Sequence, residues 1–134
     1  MKGEWQMDAI ATRSREMLPR LVDLDRRVAD ALGARSLPDL TKAYEALSAR
    51  AAEGEAHLEA GNEACGCDVA LSNLVIVVGF AINKLDGAGR YQDWMREESL
   101  GLLQDYRSLA EACAEDSGRA RFVSRIRPEL IETL

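Results

Sequence analysis

The chain has 134 residues, of which 47% are hydrophobic and 30% are charged, a balance typical of one folded domain rather than a disordered segment. Aromatic residues make up only 5%, and Ala and Leu carry most of the apolar content, which favours helices over an all-β sandwich. The net charge of -6 disfavours nucleic acid as a partner, because phosphate repels an acidic surface. These values argue against a multidomain enzyme, a fibre, a disulfide scaffold and a membrane-spanning protein.

The first half of the chain carries apolar residues at helical spacing. At Pro19 the ring removes a backbone hydrogen bond, so either a short first helix ends near Met17 or one helix over residues 5–32 is kinked there. We favour the kinked helix, because the apolar stripe keeps its phase across the proline. A second helix is predicted over residues 36–60, with Ser36 as its N-cap and Gly61 as its stop.

The third segment, residues 61–85, is the most apolar of the chain. Its β-branched run from Val75 to Val78 fits a buried strand as well as a helix, and we favour a helix because both flanks have helical spacing. The apolar part is too short for a membrane span, so we expect a buried core helix and no membrane partner.

The last two segments complete the predicted fold. Residues 91–116 carry a further amphipathic stripe, and apolar residues recur every four positions in residues 119–134, where Pro128 breaks or kinks the chain. The sequence therefore predicts a single all-α domain over residues 1–134. Four long amphipathic helices form a bundle, and an Arg-rich C-terminal helical arm over residues 119–134 follows them.

The cysteines give the first chemical hypothesis. The chain has three, and we expect reduced thiols because no secretory signal is visible and the default location is the cytoplasm. Cys65 and Cys67 flank a single glycine, so both side chains can turn toward one soft metal ion, with Cys113 and His57 as further ligands. This pattern allows zinc or Cu(I), whereas the simpler interpretation makes these cysteines cap and core residues and His57 a surface residue.

The C-terminal arm gives the second hypothesis. It carries four positive charges and no acid between residues 119 and 127, whereas residues 51–68 carry acids and no Lys or Arg. We expect the arm to bind an acidic surface of its own bundle or of a second subunit, or to be a solvated face. The predicted partner-binding side chains are those of Arg119, Arg121, Arg125 and Arg127.

One stretch resembles a known enzyme family. Residues 24–35, from Leu24 to Arg35, are similar to the first helix of the helical chorismate mutases, and Arg35 falls where that family has a substrate-binding arginine. The resemblance implies a small dimeric all-helical enzyme that binds a dicarboxylate. Leu18 replaces the upstream arginine of the family pattern, and the other segments lack its polar residues, so we assign no membership.

Binding rather than catalysis is therefore the predicted function. The chain has a single histidine and no recognisable catalytic constellation, so no catalytic residue and no resident cofactor are predicted, and enzymatic activity is disfavoured. We expect a small acidic cytoplasmic protein-interaction module of the adaptor, chaperone or inhibitor type that forms a homodimer or binds an unidentified protein. The alternative is a thiol-based metal or redox sensor that uses Cys65-Gly66-Cys67.

Overall fold

A computed structural model describes residues 2–119 and 121–134. It confirms the all-α prediction, and within the described residues no strand occurs. Four long helices are followed by one short helix, and they pack together as a bundle. Their bounds are α1 Lys2–Gly33, α2 Leu37–Glu59, α3 Gly66–Leu85, α4 Asp93–Asp116 and α5 Pro128–Glu132.

The connection between α1 and α2 follows the predicted capping chemistry in part. Helix α1 continues past Pro19, and Ser36 caps α2 by accepting a 3.3 Å hydrogen bond from the backbone N–H of Asp39. The left-handed residue that ends α1 is Arg35, with φ of 51°, rather than glycine. Its guanidinium donates to the carbonyl oxygens of Thr133 and Leu134 at 2.7 and 3.0 Å, so Arg35 fixes the last turn of the chain.

Helix α3 lies between α2 and α4 and settles the ambiguity of the β-branched run. Val75 to Val78 are helical, with Val77 and Val78 fully buried in the core. The expectation that this segment is too short for a membrane span is wrong, because α3 has 20 residues and is long and apolar enough to cross a membrane. By length and composition the core helix of a soluble protein passes the same test. Leu71 and Leu74 are fully buried, so one side of α3 serves the core of the bundle.

The C-terminal arm packs on the bundle, mostly in irregular backbone. Among the described residues of the arm, only Pro128–Glu132 are helical. Pro128 begins this helix instead of breaking one, because the first helical turn needs no N–H from that residue. The four-residue spacing of Phe122 and Ile126 therefore does not indicate a helix in this part of the arm. Both side chains are nevertheless buried against the bundle.

A buried carboxylate holds the arm in place. Asp25 of α1 accepts hydrogen bonds from the hydroxyls of Tyr106 and Ser124, both at 2.6 Å, and from the backbone N–H of Arg125 at 2.8 Å. Arg107 of α4 adds a 2.6 Å bond to the carbonyl oxygen of Ile126. The arm is therefore fixed to α1 and α4 by specific polar contacts as well as by apolar packing.

Candidate thiol centre

The structure brings the three cysteines together in the core. Cys65 is the N-cap of α3, Cys67 lies in the first turn of α3, and Cys113 lies in the last turn of α4. All three side chains are buried, and their sulfur atoms lie within 4.8 Å of one another. The structure thus unites three of the four side chains that the sequence suggested as metal ligands.

The expectation of three free thiols is wrong for two of the cysteines. Cys67 and Cys113 form a disulfide with a Cα–Cα distance of 5.4 Å, and Cys65 is the free cysteine. The sequence alone could not reveal this pairing, because the two residues are 46 positions apart and meet only when α3 packs on α4.

Gly66 permits this packing. A Cβ atom at residue 66 would overlap the backbone carbonyl oxygen of Leu109 and lie 3.2 Å from the backbone nitrogen of Cys113. The N-terminus of α3 can therefore approach the backbone of α4 only if residue 66 has no side chain. The glycine of Cys65-Gly66-Cys67 thus positions the disulfide, in addition to separating the two thiols.

A polar network adjoins the free thiol. Asp68 accepts two hydrogen bonds from the guanidinium of Arg13, at 3.2 and 3.0 Å. The same carboxylate accepts the backbone N–H of Cys65 at 3.1 Å, and the Cys65 thiol donates to it at 3.4 Å. Asp68 therefore links α1 to the first turn of α3 and orients the thiol.

Burial and charge set the protonation of this network. Burial raises the pKa of the Cys65 thiol, and the adjacent Asp68 carboxylate raises it further. Burial is the largest influence on Asp68 and raises its pKa. The hydrogen bonds and charge of Arg13, together with the hydrogen bonds from Cys65, outweigh burial, so the net pKa lies below its usual range. The hydrogen bond to Asp68 raises the pKa of Arg13. At neutral pH the centre thus contains a protonated thiol beside an ion pair.

Ser14 of α1 closes the other side of the centre. Its carbonyl oxygen lies 4.0 Å from the sulfur of Cys113, and its side chain is fully buried. Within the described part of the chain, the Ser14 hydroxyl has no hydrogen-bond partner. Burying a hydroxyl without a hydrogen-bond partner costs stability, so Ser14 is the side chain of this centre whose hydrogen-bonding capacity is unused.

His57 does not join the cysteines. It lies near the end of α2, where its Nε2 is 3.0 Å from the carbonyl oxygen of Glu63. The group of mutually close metal-binding side chains in the described residues contains the three cysteines without His57. The residues that sequence analysis missed are Arg13, Ser14 and Asp68. Only Asp68 carried a local signal, three residues after an N-cap.

The predicted partner-binding arginines lie on the surface. The side chains of Arg119, Arg121, Arg125 and Arg127 are exposed. None of these four forms an ion pair within 4.0 Å with a described residue, and Arg125 contacts Asp25 through its backbone N–H alone. The arm thus binds its own bundle through its backbone, its apolar side chains and the Ser124 hydroxyl, and its arginine side chains are exposed.

Comparisons with known proteins give no indication of a family or a function. No protein-family model, no curated protein and no solved structure matches this chain. The weak resemblance to the chorismate mutases gains nothing from the structure, because Arg35 is engaged by the C-terminal carbonyl oxygens.

Proposed function

We propose that this protein is a cytoplasmic thiol-based sensor, in which Cys65, Cys67 and Cys113 either bind a soft metal ion or hold a disulfide. The observation that carries this proposal is the meeting of three buried sulfur atoms within 4.8 Å of one another. A metal ion about 2.3 Å from three sulfurs keeps them about 4 Å apart. Once the disulfide is reduced, small side-chain rotations suffice to reach that spacing.

The ligand set favours Cu(I) over zinc. Structural zinc sites nearly always have four protein ligands, whereas soft thiolates also bind Cu(I), which accepts three. His57 is held at Glu63, and the carboxylate of Asp68 is already bound by Arg13. The described residues thus offer three sulfur ligands and no free fourth ligand.

The disulfide and the bound metal ion exclude each other, because both use the sulfur atoms of Cys67 and Cys113. A dithiol reductant transfers two electrons and two protons to the Cys67–Cys113 bond, giving two thiols while the reductant becomes a disulfide. Cu(I) then displaces thiol protons as it binds, so affinity rises with pH. The raised pKa of Cys65 extends this pH dependence to higher pH, because its proton is held more firmly than that of an exposed thiol.

Competitive titration of Cu(I) tests the proposal. The reduced protein is titrated against a chromophoric Cu(I) chelator under argon, and the same titration is run on the oxidised protein and with Zn²⁺. We expect one Cu(I) per chain in the reduced protein and loss of that site in the oxidised protein. Equal binding by the two forms, or none by the reduced form, would refute the proposal.

Matched variants assign the ligands. Cys65→Ala removes one sulfur and leaves the disulfide pair, so it should weaken Cu(I) binding while the protein still oxidises. His57→Ala should leave Cu(I) affinity unchanged, since His57 lies apart from the cysteine group. If His57→Ala weakened binding as much as Cys65→Ala, the three-sulfur site would be incorrect.

The second candidate function is the protein-interaction module. The observation that favours it is the outward direction of the arm's arginines, which form no ion pairs with described residues. Sedimentation at low and high salt tests it, because binding through these charges weakens as salt screens them. A protein that remains monomeric at every salt concentration would not support self-association.

A further inference from the structure

A groove between α1 and the C-terminal arm is lined by most of the arm's positive charge. It encloses about 380 Å³. Its apolar wall includes Pro19, Val22 and Val123, and its basic side chains are Arg26, Arg119, Arg121 and Arg125. We refer to these seven residues as the basic groove.

The two carboxylates that line this groove, those of Asp23 and Asp25, do not neutralise it. Asp25 is occupied by three hydrogen bonds from the arm and from Tyr106. Asp23 pairs with Arg26 at 2.7 Å, which leaves Arg119, Arg121 and Arg125 without an ion pair among the described residues. Val123 is 67% exposed and lines the same groove as these arginines, so the groove combines an apolar contact point with basic side chains.

The opposite charge pattern occurs at the end of α2. Glu55, Leu58, Glu59 and Glu63 are all exposed, and Leu58 is 52% exposed. We refer to these four residues as the acidic ridge. Its three carboxylates form no ion pairs with described residues. The ridge thus presents an apolar side chain within an acidic rim, the complement of the basic groove.

We propose that the basic groove binds the acidic ridge of a second copy of this chain. Leu58 of one copy packs on Val123 of the other, and the ridge glutamates pair with Arg119 and Arg121. An apolar centre with a charged rim is the usual construction of a specific protein interface. This inference names the partner of the second candidate function and rests on it, and it does not involve the thiol centre.

The positions of the two surfaces allow a closed dimer. Helix α1 borders both surfaces. Its Arg20 pairs at 3.3 Å with Glu53 of α2, two residues before the ridge begins, and its Pro19 and Val22 line the groove. In the proposed dimer, a two-fold axis near the outer face of α1 brings each ridge onto the partner's groove. Two equivalent contacts then form at once, as symmetric dimers require.

A charge-swap experiment tests this interface. Arg119→Glu with Arg121→Glu reverses the groove, and Glu55→Lys with Glu59→Lys reverses the ridge. Each double variant alone should self-associate at least about tenfold more weakly than the wild-type protein, because like charges then face each other at both contacts. An equimolar mixture of the two should form a dimer, since both contacts again join opposite charges.

Sedimentation velocity at low salt gives the readout, and far-ultraviolet circular dichroism confirms that each variant is folded. The wild-type dimer should also weaken as salt rises, which provides a second test that needs no variant. A wild-type monomer at every salt concentration, or a mixture that stays monomeric, would overturn the proposal. Cu(I) binding by the reduced variants should be unchanged, so failure of the interface and failure of the thiol centre give different results.

Discussion

Gly66 lies against the backbone carbonyl oxygen of Leu109, so closely that a Cβ atom at residue 66 would overlap that oxygen. The carbonyl oxygen is part of the backbone, and a Cβ atom would be bonded directly to the backbone. Neither atom can move by side-chain rotation, so a larger residue can be accommodated only if α3 moves away from α4. The same movement would separate Cys67 from Cys113. The packing of the bundle and the geometry of the thiol centre therefore depend on the same contact.

Gly66→Ala is expected to destabilise the protein. The added methyl group should lower the free energy of unfolding by about 1–3 kcal/mol, as overpacking does in other cores. It should also slow formation of the Cys67–Cys113 disulfide. Urea denaturation and thiol titration during air oxidation measure the two effects.

Gly101→Ala is the matched control. Gly101 lies within α4, and a Cβ there would meet nothing within 4 Å, so alanine should stabilise the helix by about 0.5–1 kcal/mol. If the two substitutions changed stability equally, the close approach at Gly66 would not be the cause.

The sequence predicted the helices better than it predicted the centre. Periodicity located α1 to α4, because each helix has a buried face that repeats along the chain. It did not locate Arg13, whose partner Asp68 is 55 positions away and is reached only through packing. Sequence analysis also grouped His57 with the cysteines, whereas the structure places it beside Glu63. Helical spacing within α2 does not show which residues of other helices lie next to His57. Local patterns thus gave the elements, and the ligand set needed tertiary structure.

The disulfide should contribute a large share of the stability of the oxidised protein. It joins residues 46 positions apart, and a loop of that length restricts the unfolded chain by about 4 kcal/mol. A reductant should therefore lower the free energy of unfolding of the wild-type protein by a similar amount. Guanidinium denaturation with and without reductant measures this change.

Two variants locate the effect in the Cys67–Cys113 bond. Reductant should have no influence on the stability of Cys67→Ala with Cys113→Ala, whereas Cys65→Ala should respond as the wild-type protein does. A loss of the reductant effect in Cys65→Ala would mean that Cys65 belongs to the stabilising disulfide.

The ion pair between Arg13 and Asp68 should make stability depend on acid. The pKa of Asp68 in the folded protein lies below its value in the unfolded chain, so its contribution is present above the unfolded value and is lost as pH falls through the folded value. We expect wild-type stability to fall below about pH 4. Asp68→Asn should remove this component and cost about 3 kcal/mol at neutral pH, because it leaves a half-buried guanidinium without its carboxylate.

Glu97→Gln serves as the control for the acid dependence, since Glu97 is exposed and forms no ion pair with a described residue. Urea denaturation at pH 3 to 7 compares the three proteins. The interpretation fails if Asp68→Asn retains the full acid dependence of the wild-type protein.

Removal of the Asp25 carboxylate should release the C-terminal arm from α1. Asp25→Ala leaves the Tyr106 hydroxyl and the backbone N–H of Arg125 without their partner, at a cost of about 2–4 kcal/mol. Hydrogen exchange should then accelerate in residues 121–134 more than in α2 or α3. Uniform acceleration along the whole chain would instead indicate that the arm and the bundle unfold together.

Tyr106 should limit stability at alkaline pH. Burial and the adjacent Asp25 carboxylate raise the pKa of Tyr106 well above its ordinary value, so the folded protein keeps the phenol protonated. The unfolded chain releases that proton above about pH 10, and stability should therefore fall as pH rises beyond this value. Tyr106→Phe should cost about 1–2 kcal/mol at neutral pH, since it removes the hydrogen bond to Asp25, and should show a smaller loss between neutral and alkaline pH. Denaturation curves recorded at intervals from pH 7 to 11 measure both effects, and an unchanged alkaline slope in Tyr106→Phe would assign that slope to another group.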